Sequence, residues 1–410
     1  MDPFHDVPDD LAVLPEGAVV RVRRVRVALL GLVPQHGIEA WQVAYRSTDL
    51  HGRPEVAVTT LMRSRRRAGV SPPRGLIAYQ CAIDAVSDRC SPSYALRAGA
   101  RAWGALPQFE LVLIARLLEL GYVVSACDHG GRMGTFGAPR EPGHRVLDGV
   151  RAAMACEELD LPAGLPVGLF GYSGGGMATA WAAEMAATYA PELPIVGAVL
   201  GSPVGDPGEA FIKLNGGPFA GLPALVVAGL RHVYPGLADV IREHASEDGR
   251  RRLDRLEEMT TVEAVLRYGF DDFDDYLDAP LADVLALPEV LEVFDDIRLG
   301  HHAPACPVLV VQSTQDQIID VDDVDAQVER YVARGADVVY LRDRLSEHIS
   351  LMLLAFPTML GWLEERFEQG DGPTVTSGTR QRLSVALSPH AWSGYWRLGT
   401  SAARVVLGRA

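Results

Sequence analysis

The stretch Leu165-Pro166-Val167-Gly168-Leu169-Phe170-Gly171-Tyr172-Ser173-Gly174-Gly175-Gly176-Met177, which runs on into alanine-rich residues as far as Thr188, decides how this chain is read. An apolar run short enough for a buried strand is followed at once by a helix-forming run, and between them lies G-x-S-x-G. A turn that sharp holds the serine in a strained backbone conformation and stands its hydroxyl clear of the sheet. Gly171 and Gly175 remove side chains that would strike strand and helix neighbours, and Ser173 falls at a helix N-terminus, where the dipole favours negative charge. A serine acting only as a helix cap needs no flanking glycines. Ser173 is therefore a candidate nucleophile, with Gly171, Tyr172 and Gly175 as its elbow.

A serine hydroxyl attacks only when a positioned base takes its proton. After such an elbow the acid precedes the histidine in chain order. His348 follows a strand and a short loop and opens a helix, whereas His301 and His302 precede a strand, His232 and His244 lie in a helical insertion, and His390 lies near the C-terminus. Asp316, four residues past the strand 308–312, sits where a carboxyl-end acid belongs. The aspartates that follow it, Asp320, Asp322, Asp323 and Asp325, have neither the spacing nor the glycine of a calcium loop and suit a helix N-terminus.

Working outward, strands near 76–79, 123–127, 167–170, 195–201, 308–312 and 338–341 alternate with helical stretches, which predicts a mostly parallel sheet with helices on both faces. Residues 18–33 and 40–63 alternate apolar with polar and read as antiparallel edge strands. The fold class expected is the α/β-hydrolase fold. Residues 1–214 and 304–370 form its core, 215–303 a helical cap over the site, and 371–410 a C-terminal tail, whose residues 374–410 hold five arginines, no Asp or Glu, and Trp392, Tyr395 and Trp396.

The 410 residues carry a net charge of −15, which repels phosphate backbones and argues against nucleic acid as a partner. Lys213 is the only lysine, a feature that reads as composition. Five cysteines, Cys81, Cys90, Cys127, Cys156 and Cys306, fit no zinc spacing, and neither metal nor organic cofactor is expected. Met1 to Leu11 is acidic and polar, unlike a secretory leader, so a cytoplasmic protein is expected, with a cleaved leader as the alternative.

Several stretches then resemble one family closely. They include Asp2-Pro3-Phe4, Tyr45-Arg46-Ser47-Thr48-Asp49, Tyr79-Gln80 with Asp84, Cys90-Ser91-Pro92-Ser93-Tyr94-Ala95-Leu96, Asp128-His129, Leu147-Asp148-Gly149-Val150-Arg151, Leu214-Asn215-Gly216-Gly217-Pro218-Phe219 and Glu347-His348. From about Asp2 to Phe367 the chain looks like the Candida lipase A-type secretory lipases. That resemblance implies a serine hydrolase acting on hydrophobic carboxylic esters, with Ser173, Asp316 and His348 as its triad. It also implies an oxyanion hole made by the Gly174 N–H and by Asp128, with Gly130-Gly131 letting backbone approach the substrate. Cys90 lacks its cap partner here and Val332 stands where a second bridge would end, as a reducing compartment permits. The alternative with the same residues is an intracellular acyltransferase or lactone-forming enzyme. The basic, aromatic tail suggests either peripheral contact with an anionic lipid surface or a segment packed on the domain or disordered.

Overall fold

Val308-Leu309-Val310-Val311 and Val338-Val339-Tyr340-Leu341 are continuous apolar runs, as strands covered on both faces require, and they lie side by side in parallel register. The structure, a computed structural model, describes residues 2–69, 71–369 and 377–410. Ten strands make one sheet: β1 (Val19–Val25), β2 (Ile38–Thr48), β3 (Pro54–Ser64), β4 (Leu76–Gln80), β5 (Val123–Cys127), β6 (Val167–Tyr172), β7 (Ile195–Gly201), β8 (Val308–Ser313), β9 (Val338–Asp343) and β10 (Gly378–Arg382). Their order is β1-β2-β3-β5-β4-β6-β7-β8-β9-β10. The first three strands and the β3–β5 pairing are antiparallel, and every pairing from β5 through β4 to β10 is parallel. The α/β-hydrolase expectation holds, including the antiparallel edge.

Alternate strand residues feed two cores. Leu76, Leu169 and Val308 face one side of the sheet, packed by α2 (Glu141–Met154), α3 (Gly174–Tyr189) and α11 (Val321–Ala333). Ile77, Phe170 and Leu309 face the other, packed by α1 (Pro107–Leu120), α12 (His348–Gln369) and α13 (Pro389–Val406). The carboxyl ends of the parallel strands thus stay open to carry a site.

Between β7 and β8 stand seven helices: α4 (Pro207–Leu214), α5 (Gly221–Leu230), α6 (Pro235–His244), α7 (Glu247–Leu256), α8 (Thr261–Tyr268), α9 (Leu281–Leu285) and α10 (Pro288–Ile297). The helical run begins at Pro207, ahead of the expected 215, because Asp206 caps it by accepting from the Gly208 and Glu209 N–H groups. The insertion has apolar clusters of its own, one around Leu230, Val240 and Ile297 and another around Leu225, Leu256 and Tyr268.

The residues after 377 are not an appendage. β10 extends the sheet beside β9 although Gly378-Thr379-Arg380-Gln381-Arg382 has no apolar residue; strand pairing is made by backbone groups, to which residue pattern is blind. Helix α13 buries Ala391, Leu398, Ser401 and Val405 and packs against α1 and α12. An ideal Cβ on Gly394 would lie 2.4 Å from the Pro357 Cβ, so the glycine permits that close contact.

Candidate active site

Ser173 sits between the last residue of β6 and the first of α3 with φ 55° and ψ −126°, a conformation costing a non-glycine residue about 1–3 kcal/mol. The Ser173 N–H donates to the Gly201 carbonyl at 2.8 Å, which ties the elbow to β7. A Cβ on Gly171 would lie 2.1 Å from the Gly175 oxygen, and one on Gly175 2.0 Å from the Gln80 oxygen. The glycines are therefore a packing requirement of the turn.

Three side chains from separate parts of the chain meet here. His348 Nε2 is 3.0 Å from Ser173 Oγ, and His348 Nδ1 is 2.7 Å from Asp316 Oδ2. Asp316 is fixed from behind: its Oδ1 accepts from the Ile318 and Ile319 N–H groups at 2.9 and 2.8 Å, and Gln312 donates to Oδ2 at 3.2 Å. The His348 backbone is fixed as well. The Tyr172 hydroxyl donates to the His348 carbonyl at 2.6 Å, and the His348 N–H donates to Gln317 at 3.2 Å. Burial opposes ionisation of Glu347, but hydrogen bonds from Gln317, Ile349 and Ser350 outweigh it and hold the carboxyl at about 2, so Glu347 caps the start of α12 as an anion. The only lysine is also here: Lys213 Nζ donates to the Asp316 carbonyl at 3.3 Å and pairs with Asp320 at 2.9 Å. His232 lies elsewhere, on Glu257.

Asp128 is not brought to this group. Its N–H donates to the Val58 carbonyl, its Oδ1 accepts from Ser93 N–H at 2.8 Å, and it lines a cleft shared with His5, Arg23 and Arg132. Its N–H, its carbonyl, which accepts from the Gly131 N–H, and its Oδ1 are all spent on the fold. Gly131 likewise makes room for Arg145, whose Cζ would lie 2.4 Å from an added Cβ, not for a ligand.

Asp84, and not Asp128, lies beside Gly174. It follows β4, the strand next to β6, at φ 43°, and lines the same small cavity as Ser173 and Gly174. Its Oδ1 lies 1.8 Å from where a Gly174 Cβ would stand, is fully buried and has no hydrogen-bond partner among the described residues. Burial pushes the Asp84 carboxyl up to about 7, against a smaller opposing pull from His348. A carboxyl that keeps its proton near neutrality is a donor as well as an acceptor. Gly174, first residue of α3, offers an N–H with no acceptor inside the helix. The available signal was an aspartate just past the carboxyl end of the neighbouring strand.

The cavity at Ser173 has a volume of about 60 Å³, and a second, of about 150 Å³, lies within the helical insertion. The two share Pro207, Phe211 and Val226 as wall residues. The wall of the second is almost wholly apolar, and Phe211 stacks on Phe273 at 4.9 Å between ring centroids.

A serine on a strand-to-helix elbow, hydrogen-bonded to a histidine and an aspartate supplied by loops after later parallel strands, defines the α/β-hydrolase class. Within that class the chain belongs to the secretory lipase family, whose model matches residues 96–376. It is similar to a protein of Mycobacterium tuberculosis named a probable inactive lipase, at 50% identity over 409 residues covering 100% of this chain and 91% of the relative. It is also similar to secreted triacylglycerol lipase LIP3 of Malassezia restricta, at 30% identity over 89% of this chain and 79% of the relative. Among solved structures, Candida antarctica lipase A in its closed state superposes with a TM-score of 0.86 at 25% identity, covering 97% of this chain and 94% of that one.

These findings correct the expectation of a cytoplasmic protein: the family is described as secretory, and the Malassezia relative is named as secreted. The cysteines misled for a physical reason. All five are free and buried, and burial pushes the Cys90, Cys156 and Cys306 thiols up to about 11, 11 and 12. Buried, protonated thiols are inert, so free cysteines are not a report on the redox state outside.

Proposed function

We propose that the chain hydrolyses carboxylic esters with apolar acyl chains through an acyl-enzyme on Ser173. Membership of the lipase family supports ester hydrolysis, and the observation that carries the finer reading is the unbroken hydrogen-bonded line Asp316–His348–Ser173 at 2.7 and 3.0 Å. Ser173 Oγ attacks the ester carbonyl while His348 Nε2 takes its proton. Asp316 accepts from Nδ1–H, fixes the tautomer and stabilises the imidazolium. The developing oxyanion lies between the Gly174 N–H and the protonated Asp84 carboxyl. His348 then gives its proton to the leaving alcohol, and water repeats the sequence to release the acid.

The apolar wall shared by the two cavities supports a hydrocarbon acyl group. The chain enters past Val226 and Phe211 and continues into the insertion, which serves as a cap. Activity of the purified protein on p-nitrophenyl esters of increasing acyl length, beside Ser173→Ala, tests the reading. Hydrolysis by wild type and its loss in Ser173→Ala are expected. A wild type inactive across the series would match the name of the mycobacterial relative and refute the proposal.

A further inference from the structure

Trp is among the most buried side chains on average, yet Trp392 and Trp396 are 73% and 77% exposed. They lie one turn apart on α13, on the side opposite the buried stripe Ala391, Leu398 and Val405, so the fold itself turns both indoles outward. Beside them runs the first part of α12, the helix that His348 opens. There Ile349 and Leu353, again one turn apart, are 58% and 48% exposed. The helices are fastened together at this level, the Tyr395 hydroxyl donating to the Leu354 carbonyl at 2.6 Å. The apolar side chains therefore belong to adjoining turns of neighbouring helices, beginning one residue from the catalytic histidine.

Charge says what the surface faces. The whole chain carries −15, yet residues 378–410 contain arginines at 380, 382, 397, 404 and 409 and no Asp or Glu, although Arg404 is paired with Glu119 at 2.9 Å. Arg397 follows Trp396 directly and is exposed. Indoles backed by aliphatic residues and flanked by arginine are the pattern that settles at the headgroup level of an anionic bilayer. We infer that the outer face of α13, with the first turns of α12, is a docking surface for an anionic phospholipid membrane, and that it presents the Ser173 site to the lipid. The presentation of the site rests on the hydrolase reading; the docking does not, and the test below measures binding alone.

The test is co-sedimentation of the full chain with phosphatidylcholine vesicles, with and without about 30% phosphatidylglycerol, at about 0.1 and 0.5 M salt. Trp392→Ala/Trp396→Ala and Arg397→Glu are compared with wild type, and thermal melts and sedimentation velocity are run on each. Wild type is expected to partition at least about tenfold more strongly onto the anionic vesicles. Higher salt and Arg397→Glu should weaken that binding, and the double Trp variant should lose about tenfold at an unchanged melting temperature. Because Arg397→Glu leaves the indoles in place, a double variant that fails to fold does not remove the test. Failure of wild type to bind, equal binding to neutral vesicles, or binding indifferent to both variants would overturn the inference. A concentration-dependent dimer abolished by the Trp changes would also overturn it, by making a second copy the occupant.

Discussion

Replacing Asp84 by alanine removes one of the two proposed oxyanion donors while leaving the Asp316–His348–Ser173 line untouched. A single donor of this kind contributes about 100- to 1000-fold to kcat, or about 3 kcal/mol. Asp84 adds a pH signature, because only the protonated carboxyl donates and the carboxylate would repel an oxyanion. Burial raises it from 3.8 to about 7, so kcat should fall as pH rises through that value. Asp84→Asn keeps a donor of the same shape that does not titrate. It should retain kcat within about tenfold and lose the alkaline fall. Stability gives an independent reading of the same group. Its folded pKa lies above its unfolded one, so its contribution is complete below the unfolded value and is lost as pH rises through about 7. Asp84→Asn should therefore gain stability relative to wild type at pH values above 7 and not below 4. The assays are kcat against pH on a soluble short-chain ester and urea melts at acidic and alkaline pH. An alanine variant within twofold of wild type, with the same pH profile, would refute the assignment.

Other consequences follow from particular contacts. Phe211→Ala opens the wall between the two cavities, so kcat/KM for long acyl chains should rise about tenfold relative to butyrate in a p-nitrophenyl ester series, with some loss of melting temperature. Glu110 holds the loop before Asp84 by accepting from Tyr79 and from the Ala82 N–H, and burial pushes its carboxyl up to about 8. Its contribution to stability is thus lost as pH rises through 8, and Glu110→Gln should flatten that decline in melts run from pH 6 to 9. Arg145 is buried and pairs with Glu55 at 2.5 Å and Glu141 at 3.1 Å. Arg145→Met strands Glu141 without its charge partner and should cost about 3–5 kcal/mol in chemical denaturation.

The elbow and its two partners were legible because each is a local event, a residue at a stated offset from the end of an apolar strand. The second proposed oxyanion residue was not. Asp84 and Asp128 both follow buried strands adjacent in the sheet, and only the tertiary placement of Asp84 against Gly174 separates them. Lys213 read as a compositional accident because nothing near it in sequence reveals that α4 delivers it to the Asp316 loop. The pairing of the C-terminal segment with the sheet was not legible for a related reason. Strand β10 has no apolar residue to announce it, and the buried stripe of α13 is interleaved with exposed tryptophan and arginine.

The proposed chemistry requires Ser173 to be an activated nucleophile. Incubation of the purified protein with a fluorophosphonate, followed by intact mass and peptide mapping, measures that directly. One adduct on Ser173, none on Ser173→Ala, and much slower labelling of His348→Ala are expected. A wild-type protein that stays unmodified, or an adduct that persists on Ser173→Ala, would contradict that chemistry.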